Sequence, residues 1–329
     1  MEIIHANANL VDLAQVRTLK QFDAVASLVD KSNYYLALPG HEWQRLQIET
    51  GHVIYIPDSE WGGYVNRIKI VGDQVDIYGD LWRQRLNKNL LKPPSGQAYL
   101  TMTGAPETVI PALLGNHFGS LYSVVAGDIA SMSVEARYSE IGRTIERSLR
   151  VAGGRLDITI GTAGQINLKA AEITDWSDAY EINEDYGVIF TFDVDLSGAI
   201  NHVIALGSGE LENRRVIEAW LLPNGEITYN ASHPNRPTGV NETTYKLDYP
   251  NAEDDKQLQD GIVKAFTEAK NGIKTEINLS AAQLFDLEIG DLIASRNRLT
   301  GLYAKQTITE KILRVSAEGI PTVRYTSKE

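Results

Sequence analysis

The sequence predicts a β-dominated α+β fold, and three observations support this prediction. Short apolar segments separated by turn signals fill residues 1–92 and return in the last third of the chain, a spacing typical of sandwiches and barrels. Helical periodicity is confined to a few segments between and within these β-rich parts. The chain has 329 residues, of which 43% are hydrophobic and 22% charged, enough for two or three domains with a packed core.

Residues 1–92 are predicted to consist of β-structure. Apolar side chains at Tyr64, Ile68 and Ile70 alternate with polar ones, as in a strand buried on one face. Pro39-Gly40 is a turn dipeptide and ends the first apolar segment. The predicted β segments of this part are 34–38, 46–48, 53–56, 64–70 and 74–79.

Residues 93–198 contain the first predicted helices. Ile141, Ile145 and Leu149 recur every four residues, which places one apolar face on a helix over 139–151. The other predicted features are a linker at 92–96, a helix from Pro106 to Leu114, and a hairpin of 156–160 with 166–169.

Residues 199–329 return to β-structure, interrupted by one helix over 254–270. Leu258, Ile262 and Phe266 form its apolar face, and the acidic pair Asp254 and Asp255 suits the positive end of the helix dipole. The predicted strands in and just before this part are 188–194, 202–206, 216–222, 226–229, 275–279, 291–294, 306–315 and 322–325.

Net charge disfavours one class of protein, and composition excludes several others. The formal net charge is -12, whereas a general nucleic-acid binder carries a basic surface. The absence of cysteine excludes disulfide scaffolds, thiolate zinc sites, iron–sulfur clusters and cysteine nucleophiles. The N-terminus lacks a secretory pattern and no apolar run approaches membrane-spanning length, so we expect a product made soluble inside the cell.

No motif in the chain carries a recognised catalytic or metal-binding spacing. Gly207-Ser208-Gly209 opens like a dinucleotide-binding turn, but Glu212 stands where that fingerprint needs a third glycine, so a structural turn is the better interpretation. The histidines show no zinc-binding spacing and are interpreted as packing or surface residues: His5, His41, His52, His117, His202 and His233.

Three further groups of side chains have a chemical and a structural interpretation. The carboxylate pair Asp193/Asp195 has a same-face strand spacing that suits a cation or acid–base catalysis, but solvation explains this pair and Asp254/Asp255 better. The aromatic cluster suits either a sugar-binding platform or a barrel core: Trp43, Tyr55, Trp61, Tyr64 and Tyr78. The arginines suit either subunit contacts or a solvated surface: Arg67, Arg83, Arg85, Arg214, Arg215, Arg296 and Arg298. No catalytic, cofactor-binding or metal-binding residue is therefore predicted.

Three segments together resemble the tail-hub proteins of long-tailed bacteriophages and prophages, also described as baseplate-hub or tail-tip proteins. The first runs from Tyr35 to Gly79 and leads into an arginine-bearing segment ending at Arg85. The second is 201–214, an asparagine, a strand, Gly-x-Gly, an acidic run and an arginine. The third combines the helix at 254–270 with 285–293 and the final strand at 308–312. Residues 93–135 match least well.

The resemblance implies an architecture and a role. It implies two tube-like β-barrel domains, at 1–92 and 199–329, with an inserted α+β module at 93–198 and the helix at 254–270 outside a barrel strand. Three copies would form a ring at the virion tail tip that joins the tail tube to the host-attachment apparatus and lets DNA pass. The implied partners are a second and third copy, the distal tail protein, the tape-measure protein and receptor-binding or fibre proteins. No enzymatic activity and no cofactor are implied.

Two other functions remain open at the level of sequence. One is a tail-associated cell-wall hydrolase, although the chain shows no recognisable catalytic module. The other is a carbohydrate-binding receptor module that uses the aromatic cluster.

Overall fold

The computed structural model describes residues 1–161, 165–177, 181–182, 188–195, 198–223, 225–269, 272–279, 287–296 and 303–327. The chain divides into two compact units. Unit 1 combines Met1–Thr191 with Thr275–Glu329, and unit 2 is the continuous segment Phe192–Lys274. Unit 1 is therefore built from both ends of the chain.

The N-terminal half of unit 1 contains short strands and two short helices. Its elements are β1 (Ile4–Ala6), β2 (Asp12–Gln15), β3 (Gln21–Ser27), β4 (Asn33–Pro39), α1 (Gly40–Leu46), β5 (Val53–Tyr55), β6 (Gly62–Val71), β7 (Gln74–Leu81), α2 (Trp82–Leu86) and β8 (Leu90–Leu91). The following elements are β9 (Leu100–Gly104), α3 (Pro106–Leu114), β10 (Tyr122–Val125), β11 (Met132–Ala136), β12 (Ser139–Glu140), α4 (Ile141–Val151), β13 (Gly154–Ile160), β14 (Ile166–Glu172) and β15 (Glu181–Ile182).

Unit 2 is a small α+β body. The chain enters it along β16 (Val188–Asp195) and leaves it along β21 (Gly272–Leu279). Between them lie β17 (His202–Leu206), β18 (Val216–Leu221), β19 (Ile227–Thr228), β20 (Thr244–Asp248), α5 (Asp255–Glu268) and 3-10 helices at Leu211–Asn213 and Gly239–Asn241. The last strands of the chain are β22 (Leu292–Arg296), β23 (Tyr303–Thr307), β24 (Glu310–Val315) and β25 (Pro321–Ser327).

One large sheet contains strands from both ends of the chain. Its order is β16-β21-β25-β24-β3-β4-β7-β6-β5-β1-β2. β24 pairs antiparallel with β3, so that Lys311 lies opposite Ala26 and Leu313 opposite Ala24. Smaller sheets in unit 1 include β10-β14-β13, and unit 2 contains β19-β18-β17-β20. The C-terminal strands therefore complete a sheet that the N-terminal strands begin.

The predicted β-dominated α+β class is confirmed, and the predicted barrels are not. In the described residues the large sheet is open, with β16 at one end of the strand order and β2 at the other. Residues 275–329 group with 1–191 in unit 1, whereas the sequence predicts them in a domain at 199–329. The division into barrel domains at 1–92 and 199–329 with a module at 93–198 stays a prediction.

The core of unit 1 consists of two clusters of buried side chains. One lies along the large sheet and includes Phe22, Leu36 and Ile77. The other packs α2, α3 and α4 against β13 and β14, with Trp82 and Ile145 fully buried. Burial of each such side chain contributes about 1.5–3 kcal/mol, so this packing is the main stabilising term in unit 1.

The three helices predicted from periodicity or capping are confirmed as α3, α4 and α5. In α4 the predicted face of Ile141, Ile145 and Leu149 is fully buried. The α5 N-cap is Asp254, whose carboxylate accepts a hydrogen bond of 2.8 Å from the backbone N–H of Gln257. The hairpin of β13 and β14 is confirmed as well.

The prediction that residues 1–92 contain only β-structure is wrong at two places. α1 begins directly after Pro39, which caps it in an extended conformation instead of forming a turn, and 46–48 is not a strand. α2 follows β7 without a loop. Helices this short show no repeated apolar spacing in sequence. The strand predicted over 306–315 is also interrupted, since β23 and β24 belong to different sheets.

Close approach of β6 and β7 predicts a strong effect of Gly63→Ala. A Cβ atom at Gly63 would lie 1.8 Å from the backbone oxygen of Asp80, so the strands must separate. We expect the free energy of unfolding in urea to fall by about 1–3 kcal/mol. Gly198→Ala is the control, because no heavy atom lies within 4 Å of its Cβ position. Equal losses in the two variants would contradict this explanation.

Candidate assembly site

A buried arginine joins three parts of unit 1. The side chain of Arg83, in α2, is only 5% exposed. Its Nη1 donates to Oε1 of Glu146 in α4 at 2.6 Å, and its Nη2 donates to the carbonyl oxygen of Leu156 in β13 at 3.0 Å. Nη2 also lies 3.4 Å from Oε2 of Glu60. Burial opposes the charge, but Glu146 and Glu60 raise the pKa of Arg83, so the guanidinium stays charged.

Glu60 extends this network to the C-terminal strands. Its other oxygen, Oε1, lies 3.5 Å from Nζ of Lys311 in β24, and Lys311 also binds Oε1 of Glu288 at 2.7 Å. The ammonium lies over the rings of Trp61 and Tyr325, at 5.8 and 6.0 Å from their centroids. Burial opposes the charge of Lys311, but Glu60 and Glu288 raise its pKa. We call Arg83, Glu146, Glu60, Lys311 and Glu288 the buried charge network.

A second ionic contact holds the segment before β22. The buried carboxylate of Asp291 pairs with Arg155 in β13. It also accepts hydrogen bonds from the backbone N–H of Thr174 at 2.9 Å and of Glu288 at 3.0 Å, and from the indole Nε1 of Trp176 at 3.3 Å. Because its charge is neutralised by several donors, Asp291 fixes this segment against the β13–β14 hairpin.

Two of the six histidines form a pair beside the edge of the large sheet. Nε2 of His5 lies 2.9 Å from Nδ1 of His52, and the ring centroids are 5.0 Å apart. Burial, followed by the effect of His52, lowers the pKa of His5 to about 4. His5 belongs to β1, which pairs with the edge strand β2. A neutral His5 is therefore part of the packing beneath this edge.

His202 packs in unit 2. Its ring stacks on Trp220 with centroids 4.5 Å apart, and Nδ1 lies 2.9 Å from Oε1 of Glu242. The guanidinium of Arg236 lies over the indole ring of Trp220, 5.0 Å from its centroid. Within the described ranges no three His, Cys, Asp or Glu side chains are grouped as metal ligands.

The turn at Gly207-Ser208-Gly209 connects β17 to β18. Gly207 N–H donates to the carbonyl of Arg215 at 2.8 Å, and Arg215 N–H donates to that of Ser208 at 2.9 Å. Gly209 has φ +100°, and a Cβ there would lie 2.4 Å from the backbone oxygen of Asn213. These hydrogen bonds and this close approach account for the glycines as parts of a β connection.

The aromatic cluster is largely packed inside the protein. Tyr55 and Trp61 are buried. The ring of Tyr64 meets Trp82 edge to face at 5.9 Å, and the indole Nε1 of Trp43 donates to the Ile48 carbonyl at 3.2 Å. The cluster therefore supplies core contacts and does not form an exposed sugar-binding platform.

The remaining predicted side chains serve in local contacts where the structure describes them. Asp254 caps α5, and Asp255 pairs with Arg215. The other arginine contacts are Arg67 over Tyr78, Arg85 over Tyr64, and Arg214 with Asp248. The side chains of Asp193, Asp195 and Arg296, and the whole of Arg298, lie outside the described residues.

The edge strand β2 is the candidate assembly site. Within the described residues its only strand partner is β1, so no neighbouring strand pairs with the backbone N–H and C=O groups on its outer side. Val11 and Leu13 are 57% and 52% exposed along this edge. An edge with exposed apolar side chains is suited to pairing with a strand of another chain. We call Val11 and β2 the edge surface.

Sequence reasoning named Arg83 but missed the network around it. Glu60, Lys311 and Glu288 come from distant parts of the chain, and no spacing rule connects them. The one available signal was the presence of charged residues beside apolar strands, which is common on any surface.

Comparisons with known proteins identify the fold. No family model and no curated protein matches the chain. The 43 kDa tail protein of prophage MuSo2 from Shewanella oneidensis has a TM-score of 0.57 at 12% identity, covering 99% of this chain and 98% of that one. A tail protein from Neisseria meningitidis MC58 has a TM-score of 0.53 at 11% identity, covering 100% and 96%.

A chain in the phage P2 baseplate in its activated conformation has a TM-score of 0.51 at 11% identity, covering 99% of this chain and 98% of its own. This chain therefore has the fold of phage and prophage tail proteins over nearly its full length. The resemblance to that group predicted from sequence is confirmed at the level of the fold.

The buried charge network predicts that Arg83→Met is strongly destabilising. The substitution leaves Glu60 and Glu146 buried without their guanidinium, so we expect a loss of about 3–5 kcal/mol in the free energy of unfolding. The control is Arg67→Met, because Arg67 is exposed on β6 and we expect its loss to be at most about 1 kcal/mol. Urea denaturation measures both. If Arg83→Met were as mild as the control, the network would not hold unit 1 together.

The histidine pair predicts a pH dependence of stability. The pKa of His5 falls from 6.5 to about 4 on folding, so the unfolded chain binds the proton more readily. Stability from this group is present above about pH 6.5 and is lost as the pH falls towards 4. Urea denaturation at each pH gives the free energy of unfolding. Between pH 7 and 4.5 we expect this free energy to fall by roughly 1–3 kcal/mol less in His5→Asn than in the parent chain. His41→Asn, at an exposed position of α1, should behave like the parent chain. If His5→Asn lost as much stability as the parent between these pH values, the assignment to His5 would be wrong.

Proposed function

We propose that this chain is a hub subunit of a phage tail tip or baseplate. Three copies form a ring that joins the tail tube to the distal host-attachment apparatus. The observation that carries the proposal is the near-full-length match of the fold to tail proteins, one of which was solved within a baseplate. The ring, its threefold symmetry and its position at the tip belong to the proposal.

The open sheet supports assembly. A single copy leaves β2 at an edge of the large sheet with Leu13 exposed. In a ring, every copy has a neighbour that can cover such an edge, since closed cyclic assembly repeats the same contact around the axis. In this proposal each copy has two tube-like barrel domains, and strands of neighbouring copies continue the large sheet.

The use of the charged groups supports a structural role over a catalytic one. Arg83 and Lys311 form ion pairs with buried carboxylates. Asp255 is paired with Arg215. Among the described residues these groups are held in ion pairs within the fold, whereas a hydrolase requires an acid, base or nucleophile poised in a cleft.

The net charge supports passage of DNA through the ring. A trimer carries three times the formal charge of -12. An acidic lumen repels the phosphates of a duplex and does not retain it. A structure of the ring with a pore face lined mainly by lysine and arginine would contradict this part of the proposal.

The proposed partners follow from this position. They are two further copies, the distal tail protein, the tape-measure protein and receptor-binding or fibre proteins, with DNA present only in transit. The proposed location is the virion tail tip. Among the described helices none combines the length and apolar character needed to cross a membrane.

The edge surface predicts the effect of Leu13→Lys on assembly. We expect light scattering of the purified chain to give three times the monomer mass of 36.4 kDa. A lysine at an exposed edge opposes strand pairing, so Leu13→Lys should shift the mass towards the monomer at equal concentration. Val240→Lys is the control, because Val240 is fully exposed in a 3-10 helix of unit 2. A monomer for the parent chain, with and without the distal tail protein, would contradict the ring.

A further inference from the structure

An exposed leucine between two glutamates forms a knob on unit 2 that is not part of the edge surface. Leu211 is 89% exposed, and Glu210 and Glu212 beside it are exposed too. Leu211 also has φ +50°, a left-handed conformation that is unfavourable for a side chain with a Cβ. We call Glu210, Leu211 and Glu212 the acidic knob. Strained backbone that presents an apolar side chain to solvent marks a candidate contact point.

The conformation of the acidic knob is fixed by its surroundings. It forms a 3-10 turn in which the N–H of Arg214 donates to the Leu211 carbonyl at 3.2 Å. The Nε of Arg214 donates to the Gly207 carbonyl at 3.1 Å, and its Nη2 binds Asp248. The knob is therefore presented in one shape, and binding it costs little ordering entropy.

A groove along α4 has the opposite chemistry. It has a volume of about 410 Å³, and Leu28, Val151, Arg147 and Arg150 are among its lining residues. Val151 is 84% exposed. We call these four residues the arginine socket. Its apolar part suits a leucine side chain, and its arginines suit carboxylates.

Arg147 and Arg150 of the socket form no ion pair within the described residues. The side chain of Arg147 donates to the backbone carbonyl of Glu135 at 3.1 Å. Arg143, which also lines the groove, binds the carbonyls of Val29 and Asp30 and lies 3.7 Å from the carboxylate of Glu140. In the part of the chain that the structure describes, neither Arg147 nor Arg150 pairs with a carboxylate. Because they are three residues apart on α4, both project to one side of the helix.

We propose that the acidic knob of one copy inserts into the arginine socket of a second copy. Leu211 packs between Leu28 and Val151, while Glu210 and Glu212 pair with Arg147 and Arg150. The inference rests on the proposed ring and names a contact within it. The charge of the knob is opposite to that of the socket, and every copy carries both.

A second copy is the occupant that this arrangement fits best. The two surfaces differ, so the contact is heterologous, and repetition of a heterologous contact closes a ring when the rotation allows. Nucleic acid is disfavoured, because it offers no side chain for the apolar part of the socket and is repelled by a chain of net charge -12.

The absence of native cysteine allows a direct test by cross-linking. Val151→Cys and Leu211→Cys are made as separate full-length variants, mixed in equal amounts and treated with a short bismaleimide. We expect a dimer band in the mixture at least about tenfold stronger than in either variant alone, since only the mixture places both thiols at one contact. Val240→Cys replaces Leu211→Cys as the matched control, because it is fully exposed in the other 3-10 helix.

Charge reversal then separates specific insertion from random collision. Arg147→Glu with Arg150→Glu, added to the Val151→Cys partner, should abolish the cross-link. Glu210→Arg with Glu212→Arg, added to the Leu211→Cys partner, should restore it. The inference is overturned if the band survives the first pair of substitutions, if the second pair does not restore it, or if Val240→Cys gives an equal band.

Light scattering of the parent chain keeps this test independent of the proposed function. A trimer mass without the cross-link overturns the knob and socket and leaves the ring standing. A monomer mass without the cross-link overturns both. Urea denaturation of each variant confirms that the substituted chains are folded before either result is interpreted.

Discussion

The buried charge network is the constraint on which unit 1 depends. Glu60 lies between Arg83 in α2 and Lys311 in β24, so one carboxylate connects the N-terminal sheet, the helices of the middle segment and the C-terminal strands. Charges removed from water are tolerated only when their partners are all in place. The network therefore links the two ends of the chain, alongside the apolar cluster that includes Phe22 and Leu313 and helps to set the register of the sheet.

Local pattern was enough to predict the elements that carry their own signal. α4 has one apolar face over three turns, and Asp254 marks the start of α5. α1 was missed because its seven residues are too few for periodicity, and Pro39-Gly40 has the same composition as a turn. The partners of Arg83 were missed because they depend on contacts between distant residues.

The chain has no cysteine, and apolar packing and ion pairs stabilise its described fold. Some ionic groups, such as Arg83 and Glu146, pair inside the fold, and others, such as Arg215 and Asp255, pair at the surface. Apolar side chains such as Leu13 and Leu211 are exposed. Similarity to tail proteins gives the fold, and the exposed side chains of the edge strand support the proposed assembly.

Electron cryo-microscopy of the assembled full-length chain tests the central claim most directly. The account predicts a closed ring with threefold symmetry in which the outer side of β2 is covered by a neighbouring copy and the lumen is predominantly acidic. An open filament, a closed assembly of another symmetry, or isolated monomers with β2 exposed at every concentration would contradict it.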